Sequence, residues 1–237
     1  MIVIEGINKT IGEKAILRNI NLQIKQGETI GLIGPNGAGK STVLNIISGL
    51  MKPSSGRIKI FGKQLKEHPL EIKNKIGFLS HDSFLYDHFS PLENLKFFAK
   101  LYGFEVEERK VKGLIREVGL AYFMHEPVRS FSRGMIQRLN IARALIHDPD
   151  ILLLDEPHTS LDQQAIQILN RFISKMKKRG ATIIMVTHDL KEAFHLCDRI
   201  LFMKDGTIID DFPVSEQKVN LIFEKYFAQV GSDEKNF

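Results

Sequence analysis

The segment from Gly34 to Thr42, GPNGAGKST, constrains this chain of 237 residues more than any other stretch. It fits G-x-x-x-x-G-K-[ST], follows the apolar run TIGLI and opens the helical pattern KSTVLNIISGL, which is the context that a phosphate-binding loop requires. Such a loop turns successive amide N–H groups, and the N-terminus of the next helix, toward a phosphate. Lys40 is expected to reach the β and γ phosphates, and the Ser41 hydroxyl is expected to bind Mg²⁺. The predicted nucleotide-binding residues of the loop are Gly34, Asn36, Gly37, Ala38, Gly39, Lys40, Ser41 and Thr42.

The hydrophobic pattern predicts an α/β fold. Short apolar runs such as TIGLIG, DILLLD and ATIIMVT are typical of buried strands in a parallel sheet, whereas MIVIEGI and KAILRNINLQI alternate as half-exposed strands do. We therefore expect a P-loop core with a parallel sheet, an antiparallel β subdomain and an inserted helical subdomain. The predicted boundaries within one domain of residues 1–237 are a core of about 1–80 and 150–211, a helical insertion of about 81–149 and a C-terminal helix of about 215–230.

Composition narrows the class of protein less than the motifs do. The formal net charge of +5 suits nucleic acid, anionic lipid or nucleotide, and so it does not choose among them. A single cysteine, Cys197, cannot form an intrachain disulfide, and no apolar run approaches the roughly 20 residues of a membrane span. No signal peptide is recognised, and a cytoplasmic location is expected.

Two further strand ends carry candidate catalytic groups. The run ILLL ends in Asp155 and Glu156, so we expect Asp155 to hold Mg²⁺ and Glu156 to act as the general base for the attacking water. The strand from Thr182 to Val186 is followed by His188, which we expect to contact the γ-phosphate. No N-K-x-D motif follows the phosphate loop, which disfavours GTP, and the histidine spacing does not favour zinc.

Five segments of the sequence form a recognisable set: Gly34 to Thr42, Ser132 to Gln137, Asp155-Glu156, Ser160-Leu161-Asp162 and His188. Together they resemble the ATP-binding cassette of ABC transporters over about residues 1–211. In that family the segment FSRGM, Phe131 to Met135, corresponds to the L-S-G-G-Q signature. The resemblance implies ATP and Mg²⁺ as cofactors and a homodimer or paired cassette, with Ser132, Gly134 and Asp162 contacting ATP of the other subunit. It also implies a separate transmembrane subunit that contacts residues near 81–104, and a peripheral position on the inner face of the cell membrane.

Three positions depart from the family pattern. Ile11 stands where an aromatic residue usually stacks on adenine, so we expect only a loose apolar contact. His81 stands where a glutamine usually binds Mg²⁺, and we expect it to contact the attacking water or the membrane partner instead. Arg133 and Met135 replace glycine and glutamine of the signature, while its serine and second glycine are retained.

The sequence leaves more than one function open. His81 and the S-R-G-M-x-Q-R pattern are most similar to the ATP-binding subunit of the haem exporter or cytochrome c maturation system, although exporters of drugs and polysaccharides share related forms. A soluble cassette acting on nucleic acid is a less favoured alternative, because neither a coiled coil nor a second cassette is present, and no direct nucleic-acid contact is expected. A regulatory protein that binds ATP without cleaving it is disfavoured by Glu156.

Overall fold

The computed structural model describes residues 2–80, 83–159 and 161–214. The strands are β1 (Ile2–Ile11), β2 (Lys14–Ile24), β3 (Thr29–Ile33), β4 (Ser55–Ile60), β5 (Lys63–Gln64), β6 (Ile76–Leu79), β7 (Ile151–Asp155), β8 (Thr182–Val186), β9 (Arg199–Lys204) and β10 (Thr207–Pro213). The helices are α1 (Lys40–Ile47), α2 (Pro69–Lys73), α3 (Pro91–Leu101), α4 (Glu108–Glu117), α5 (Arg133–Leu145), α6 (Gln163–Lys178) and α7 (Leu190–Leu196). His81, Ser160 and the predicted C-terminal helix of about 215–230 lie outside the described residues.

Backbone contacts divide the chain into two compact units, residues 1–69 with 183–237, and residues 70–182. The first unit contains an antiparallel sheet with the strand order β2-β1-β4-β5. Ile2 and Ile4 of β1 are buried, and Val3 and Glu5 are half-buried, which is the alternation read from the sequence. An irregularity in the pairing with β2 between Ile4 and Ile7 then shifts the alternation by one residue, so Ile7 is buried as well. The predicted antiparallel β subdomain is confirmed.

The first unit also contains four strands in the order β10-β9-β3-β8. Strand β3 runs parallel to both β8 and β9, and β10 closes this part as an antiparallel neighbour of β9. Every residue of β3 and β8 is buried, as the short apolar runs predicted for strands that are covered on both faces. The phosphate-loop segment follows β3 and leads directly into α1.

The second unit combines a parallel pair of strands, β6 and β7, with helices α3 to α6. Helix α3 starts with a capping box, because Ser90 Oγ accepts from the Glu93 N–H while the Glu93 carboxylate accepts from the Ser90 N–H. Helix α6 ends with three lysines in its last turn, where cations favour the helix dipole, and Gly180 follows it at φ +79°. Between residues 83 and 149 the described chain forms helices and two short 3₁₀ turns, without a strand.

Candidate functional site

The phosphate-loop segment is shaped by contacts with distant parts of the first unit. Gly34 adopts φ +150°, and a Cβ atom placed on it would lie 2.0 Å from the Met203 carbonyl oxygen at the end of β9. Only glycine therefore allows this close approach of two backbones. Nearby, the Gly206 N–H donates to the Ala38 carbonyl over 3.2 Å, and the Gly206 carbonyl accepts from the Arg18 N–H over 2.8 Å.

Lys40, the first residue of α1, is 95% buried although it is charged, because its relative exposure is 5%. Its Nζ donates to the carbonyl oxygens of Gly34 and Pro35 over 2.8 and 2.9 Å. The ammonium group is thus held inside the curve of the loop, and the N-terminal turn of α1 follows it directly. A buried cation and a helix N-terminus at one place favour binding of an anion.

His188 leaves the sheet at the same edge as the phosphate loop. Strand β8 is parallel to β3 with Val186 opposite Leu32, and the Thr187 N–H donates to the Leu32 carbonyl over 3.4 Å. His188 is exposed, and the residue after it, Asp189, caps α7 by accepting from two backbone N–H groups of that helix. The expected common edge of the loop and His188 is therefore present, while a contact of His188 with phosphate remains a prediction.

The predicted adenine neighbour, Ile11, lies at the end of β1 and is 52% exposed. The residues that contact the loop at Gly39 come instead from the following strand, because a Cβ atom on Gly39 would lie 2.6 Å from a Leu17 methyl group and 3.1 Å from the Ile16 carbonyl oxygen. Sequence reasoning missed this contribution of β2, and it also missed Met203 and Gly206. Packing between residues that are distant in sequence leaves no short sequence pattern from which it could be predicted.

In the second unit, two strand ends bring acidic and polar groups to one edge. Strands β6 and β7 are parallel with Leu79 opposite Leu154, so Ser80 and Asp155 leave the pair at the same side. Asp155 is 7% exposed, whereas Glu156 is half-buried and has φ +47°, a backbone conformation that is uncommon for a residue with a side chain. The Thr159 hydroxyl donates to a Glu156 carboxylate oxygen over 3.4 Å. The catalytic and metal-binding roles of these two acids remain predictions.

The signature segment (Phe131–Met135) begins α5. Ser132 is the exposed N-cap residue, and its Oγ accepts from the Met135 N–H over 3.3 Å. A Cβ atom on Gly134 would lie only 2.5 Å from Asp162 Oδ2, so Asp162 packs directly on the signature of its own chain. The other oxygen of Asp162, Oδ1, accepts from the Ala165 N–H over 2.7 Å and caps α6.

This arrangement brings Ser132, Gly134 and Asp162 together within the second unit, as a pair of adjoining helix starts. Sequence reasoning assigned all three to contacts across a subunit interface, and it did not predict the contact of Asp162 with Gly134. The spacing Ser-Leu-Asp before the helical pattern indicated a cap, and this signal would have identified at least that role for Asp162.

Two absences are found within the described residues. No cluster of three or more His, Cys, Asp or Glu side chains there is arranged to hold a metal ion. None of the helices in residues 2–80, 83–159 and 161–214 has both the length and the apolar character of a membrane span.

A phosphate loop between a buried parallel strand and a helix, with a second helix start at Ser132, defines a P-loop nucleotide-binding cassette. The family model described as "ABC transporter" matches residues 17–159. This chain belongs to the ABC transporter family.

The relatives support the assignment over most of the chain. The chain is 40% identical to the ABC transporter ATP-binding protein NatA of Bacillus subtilis, over 81% of this chain and 80% of NatA. It is also 40% identical to the lantibiotic transport ATP-binding protein SrtF of Streptococcus pyogenes, over 88% of this chain and 89% of SrtF.

Solved structures agree with the fold. An ATP-binding subunit of an ABC transporter superposes with a TM-score of 0.88 at 27% identity, over 98% of this chain and 99% of that one. A dimeric ATP-binding cassette in a post-hydrolysis state bound to ADP and Pi superposes with a TM-score of 0.82 at 30% identity, over 91% of this chain and 99% of that one. The predicted fold class is confirmed.

Proposed function

We propose that this chain is the ATP-hydrolysing subunit of an ABC exporter, and that it works through a separate membrane subunit. The observation that carries the proposal is the presence of two distinct helix starts suited to an anion, Lys40 at α1 and Ser132 at α5. A cassette that only stored nucleotide would need one of them. Two are needed when the nucleotide of one copy is completed by the signature segment of another.

We assign ATP phosphates to the loop from Gly34 to Thr42, where the buried Lys40 supplies positive charge. Ser41 and Asp155 both offer hard oxygen donors, the ligand type that Mg²⁺ prefers, and they are the residues proposed to hold this ion. When bound, Mg²⁺ would neutralise charge on the phosphate oxygens. Ile11 remains the proposed apolar neighbour of adenine.

For the chemical step we assign Glu156 the role of general base and His188 a contact with the γ-phosphate. The base is expected to take a proton from the attacking water, which makes the water oxygen a stronger nucleophile. Thr159 donates a hydrogen bond to the Glu156 carboxylate, and this limits the orientations open to the side chain. His81, which lies outside the described residues, is proposed to contact the water or the membrane partner.

Pairing of two cassettes is the second element of the proposal. In the paired state Ser132 and Gly134 of one copy would contact ATP held by the other copy, in a homodimer or with a different cassette. A related cassette has been solved as a dimer bound to ADP and Pi, which supports pairing in this chain. ADP alone lacks the γ-phosphate, so ATP is expected to favour the paired state more strongly than ADP by itself.

We assign contact with the membrane subunit to the described residues 83–104, called the 83–104 surface below. Phe84, Tyr86, Leu101 and Phe104 are between 40% and 63% exposed there, although they are apolar or aromatic. Tyr86 packs against Phe97 with ring centroids 4.8 Å apart, and this contact holds the Tyr86 ring in place on the surface. Exposed apolar patches commonly mark protein contact sites. The subunit would then sit peripherally on the cytoplasmic face of the membrane.

For the cargo we propose an antibiotic or antibiotic-like peptide. SrtF is named for lantibiotic transport, and a relative of Bacillus subtilis that is 36% identical over 88% of this chain is named a linearmycin resistance ATP-binding protein. Haem remains the alternative cargo, and His81 together with the S-R-G-M-x-Q-R pattern favours it.

The experiment measures ATP hydrolysis and oligomeric state for wild type, Glu156→Gln and the matched control Glu67→Gln, an exposed carboxylate of the first unit. Loss of a general base is expected to reduce turnover by about 100-fold or more. The Glu156→Gln protein is expected to accumulate as a dimer with ATP, whereas the control keeps wild-type turnover. Wild-type turnover in Glu156→Gln would remove Glu156 as the base, and a monomer at high protein and ATP concentration would contradict the pairing.

A further inference from the structure

Arg143 lies near the end of α5 and is 4% exposed. No salt bridge joins it to any carboxylate within the described parts of the chain. Burial of a guanidinium group is costly, and it lowers the pKa of Arg143 from its ordinary value. A charge in such a place needs other compensating contacts.

The compensating contacts come from four residues, which together with Arg143 we call the Arg143 cluster. Nε donates to Asn140 Oδ1 over 2.8 Å, and Nη2 donates to the Phe78 carbonyl oxygen over 2.8 Å. The guanidinium carbon lies 5.4 Å from the centroid of the Phe84 ring and 5.4 Å from that of the Phe98 ring, both within the range of cation–π attraction.

The positions of these partners along the chain are informative. Phe78 lies in β6, Phe84 lies on the far side of residues 81–82, and Phe98 belongs to α3. One side chain of α5 therefore holds the chain on both sides of the segment that follows β6, and it also holds the helix that carries much of the 83–104 surface. Leucine or methionine at position 143 would fill space but would provide neither hydrogen bond.

Phe84 is the member that faces outward. It is 47% exposed although its ring lies over Arg143, and its backbone has φ +51°, which is unfavourable for a bulky aromatic residue. A backbone in this region is strained and persists only where surrounding contacts hold it. The Arg143 contact is the one described interaction that ties the Phe84 ring to α5.

Helix α5 connects this cluster to the signature segment. The 13 residues from Arg133 to Leu145 span about 20 Å, and Ser132 caps the other end. The helix is packed tightly on β6, because a Cβ atom on Gly77 would lie 2.4 Å from the Ala144 carbonyl oxygen. We expect a helix held in this way to move as a rigid body, so that a displacement of Phe84 would also displace Ser132.

We propose that Arg143 is a positioning residue that couples the 83–104 surface to the signature end of α5 by fixing Phe78 and Phe84 to this helix. The inference rests on the proposed function, which makes one end the contact with the membrane subunit and the other the contact with ATP. It adds the physical connection between them. Arg143 itself touches neither partner.

The test compares Arg143→Lys and Arg143→Met with the matched control Arg116→Met, which removes an exposed arginine from α4. Lysine keeps the positive charge but lacks the planar guanidinium group that donates to two acceptors. Methionine removes the charge and the donors together. Hydrogen–deuterium exchange without nucleotide is measured for a peptide covering residues 78–90 and for peptides covering β7 and α6. We expect about 10-fold faster exchange in 78–90 for both Arg143 variants, with β7, α6 and the Arg116→Met protein unchanged.

A second readout concerns ATP turnover by the same proteins. Arg143→Lys and Phe84→Leu are each expected to lower kcat about 10-fold with KM for ATP within twofold, and the double variant is expected to be no worse than either single variant. Multiplying effects in the double variant would overturn the proposal. So would unchanged exchange over 78–90 in a folded Arg143→Lys protein, or faster exchange in every segment alike. If the wild type does not hydrolyse ATP, the proposed function fails, while the exchange result still decides the role of Arg143.

Discussion

Substitution of Gly134 by alanine tests the contact between the signature segment and Asp162. The added Cβ atom would lie 2.5 Å from Asp162 Oδ2, whereas ordinary contacts begin at 3.4 Å, so the two atoms must separate by 3.4 − 2.5 = 0.9 Å. Oδ2 is the end of a short side chain and can swing away. The same carboxylate, however, caps α6 through Oδ1, and the swing breaks that 2.7 Å hydrogen bond from the Ala165 N–H.

The expected cost follows from the cap. Loss of an N-cap side chain costs about 0.5–2 kcal/mol, whereas alanine in place of glycine gains at most about 1 kcal/mol in a helix. Gly113→Ala in α4 is the matched control, because nothing lies within 4 Å of a Cβ atom at that position. We expect Gly134→Ala to be less stable than Gly113→Ala by about 0.5–2 kcal/mol, a difference in Tm of about 1–8 °C for a chain of this size.

The assay is urea and thermal unfolding followed by circular dichroism, repeated in an Asp162→Ser background. Serine keeps an oxygen for the α6 cap but lacks the second oxygen that meets Gly134. The deficit of Gly134→Ala relative to Gly113→Ala should therefore disappear in that background. A deficit of the same size with and without Asp162 would refute the idea that this contact selects glycine in the signature.

Two further predictions concern the phosphate loop and a buried histidine. Gly34→Ala should abolish ATP binding measured by calorimetry, because its Cβ atom would lie 2.0 Å from the Met203 carbonyl oxygen. In the control Gly37→Ala the added Cβ atom meets no atom within 4 Å, so this protein should bind ATP more tightly than Gly34→Ala. An equal loss of binding in both proteins would contradict the steric reason. Burial lowers the pKa of His147 to about 4, so the folded state binds fewer protons than the unfolded state between about pH 4 and 6.5. The contribution of His147 to the free energy of unfolding should be complete above pH 6.5 and should decrease by up to about 3 kcal/mol as the pH falls toward 4. His147→Gln should remove this part of the pH dependence in urea unfolding, and identical curves for the two proteins would contradict it.

Much of the fold was predictable because local signals agreed with one another. The motif around Lys40 identified both the end of β3 and the start of α1. Ser132 and Asp162, the small polar residues before α5 and α6, carry the same kind of signal, although no cap was predicted at either of them. Apolar runs predicted the buried strands, since strands covered on both faces tolerate few polar residues.

The remaining features depend on residues that are distant in sequence. Arg143 looked like one more charge in a basic helix, yet it is buried because the rings of Phe84 and Phe98 and the carbonyl of Phe78 surround it. Asp162 was expected to contact ATP of another subunit, which stays a prediction, whereas its packing on Gly134 and its cap of α6 within the same chain were not foreseen. The periodicity of apolar residues predicts which face of a helix is buried. It does not predict which distant group forms a hydrogen bond with each polar side chain.

The hairpin of β9 and β10 supports the glycine loop from beneath through Met203 and Gly206. The loop consequently has its curvature before any nucleotide arrives, and little conformational entropy is left to lose on binding. If this loop binds ATP as proposed, we expect the affinity to depend partly on the turn between β9 and β10, which need not touch the nucleotide. A change in the length of that turn would shift Met203 and Gly206 and so change the curvature of the loop. It would alter nucleotide binding without changing a single residue of the motif by which the family is recognised.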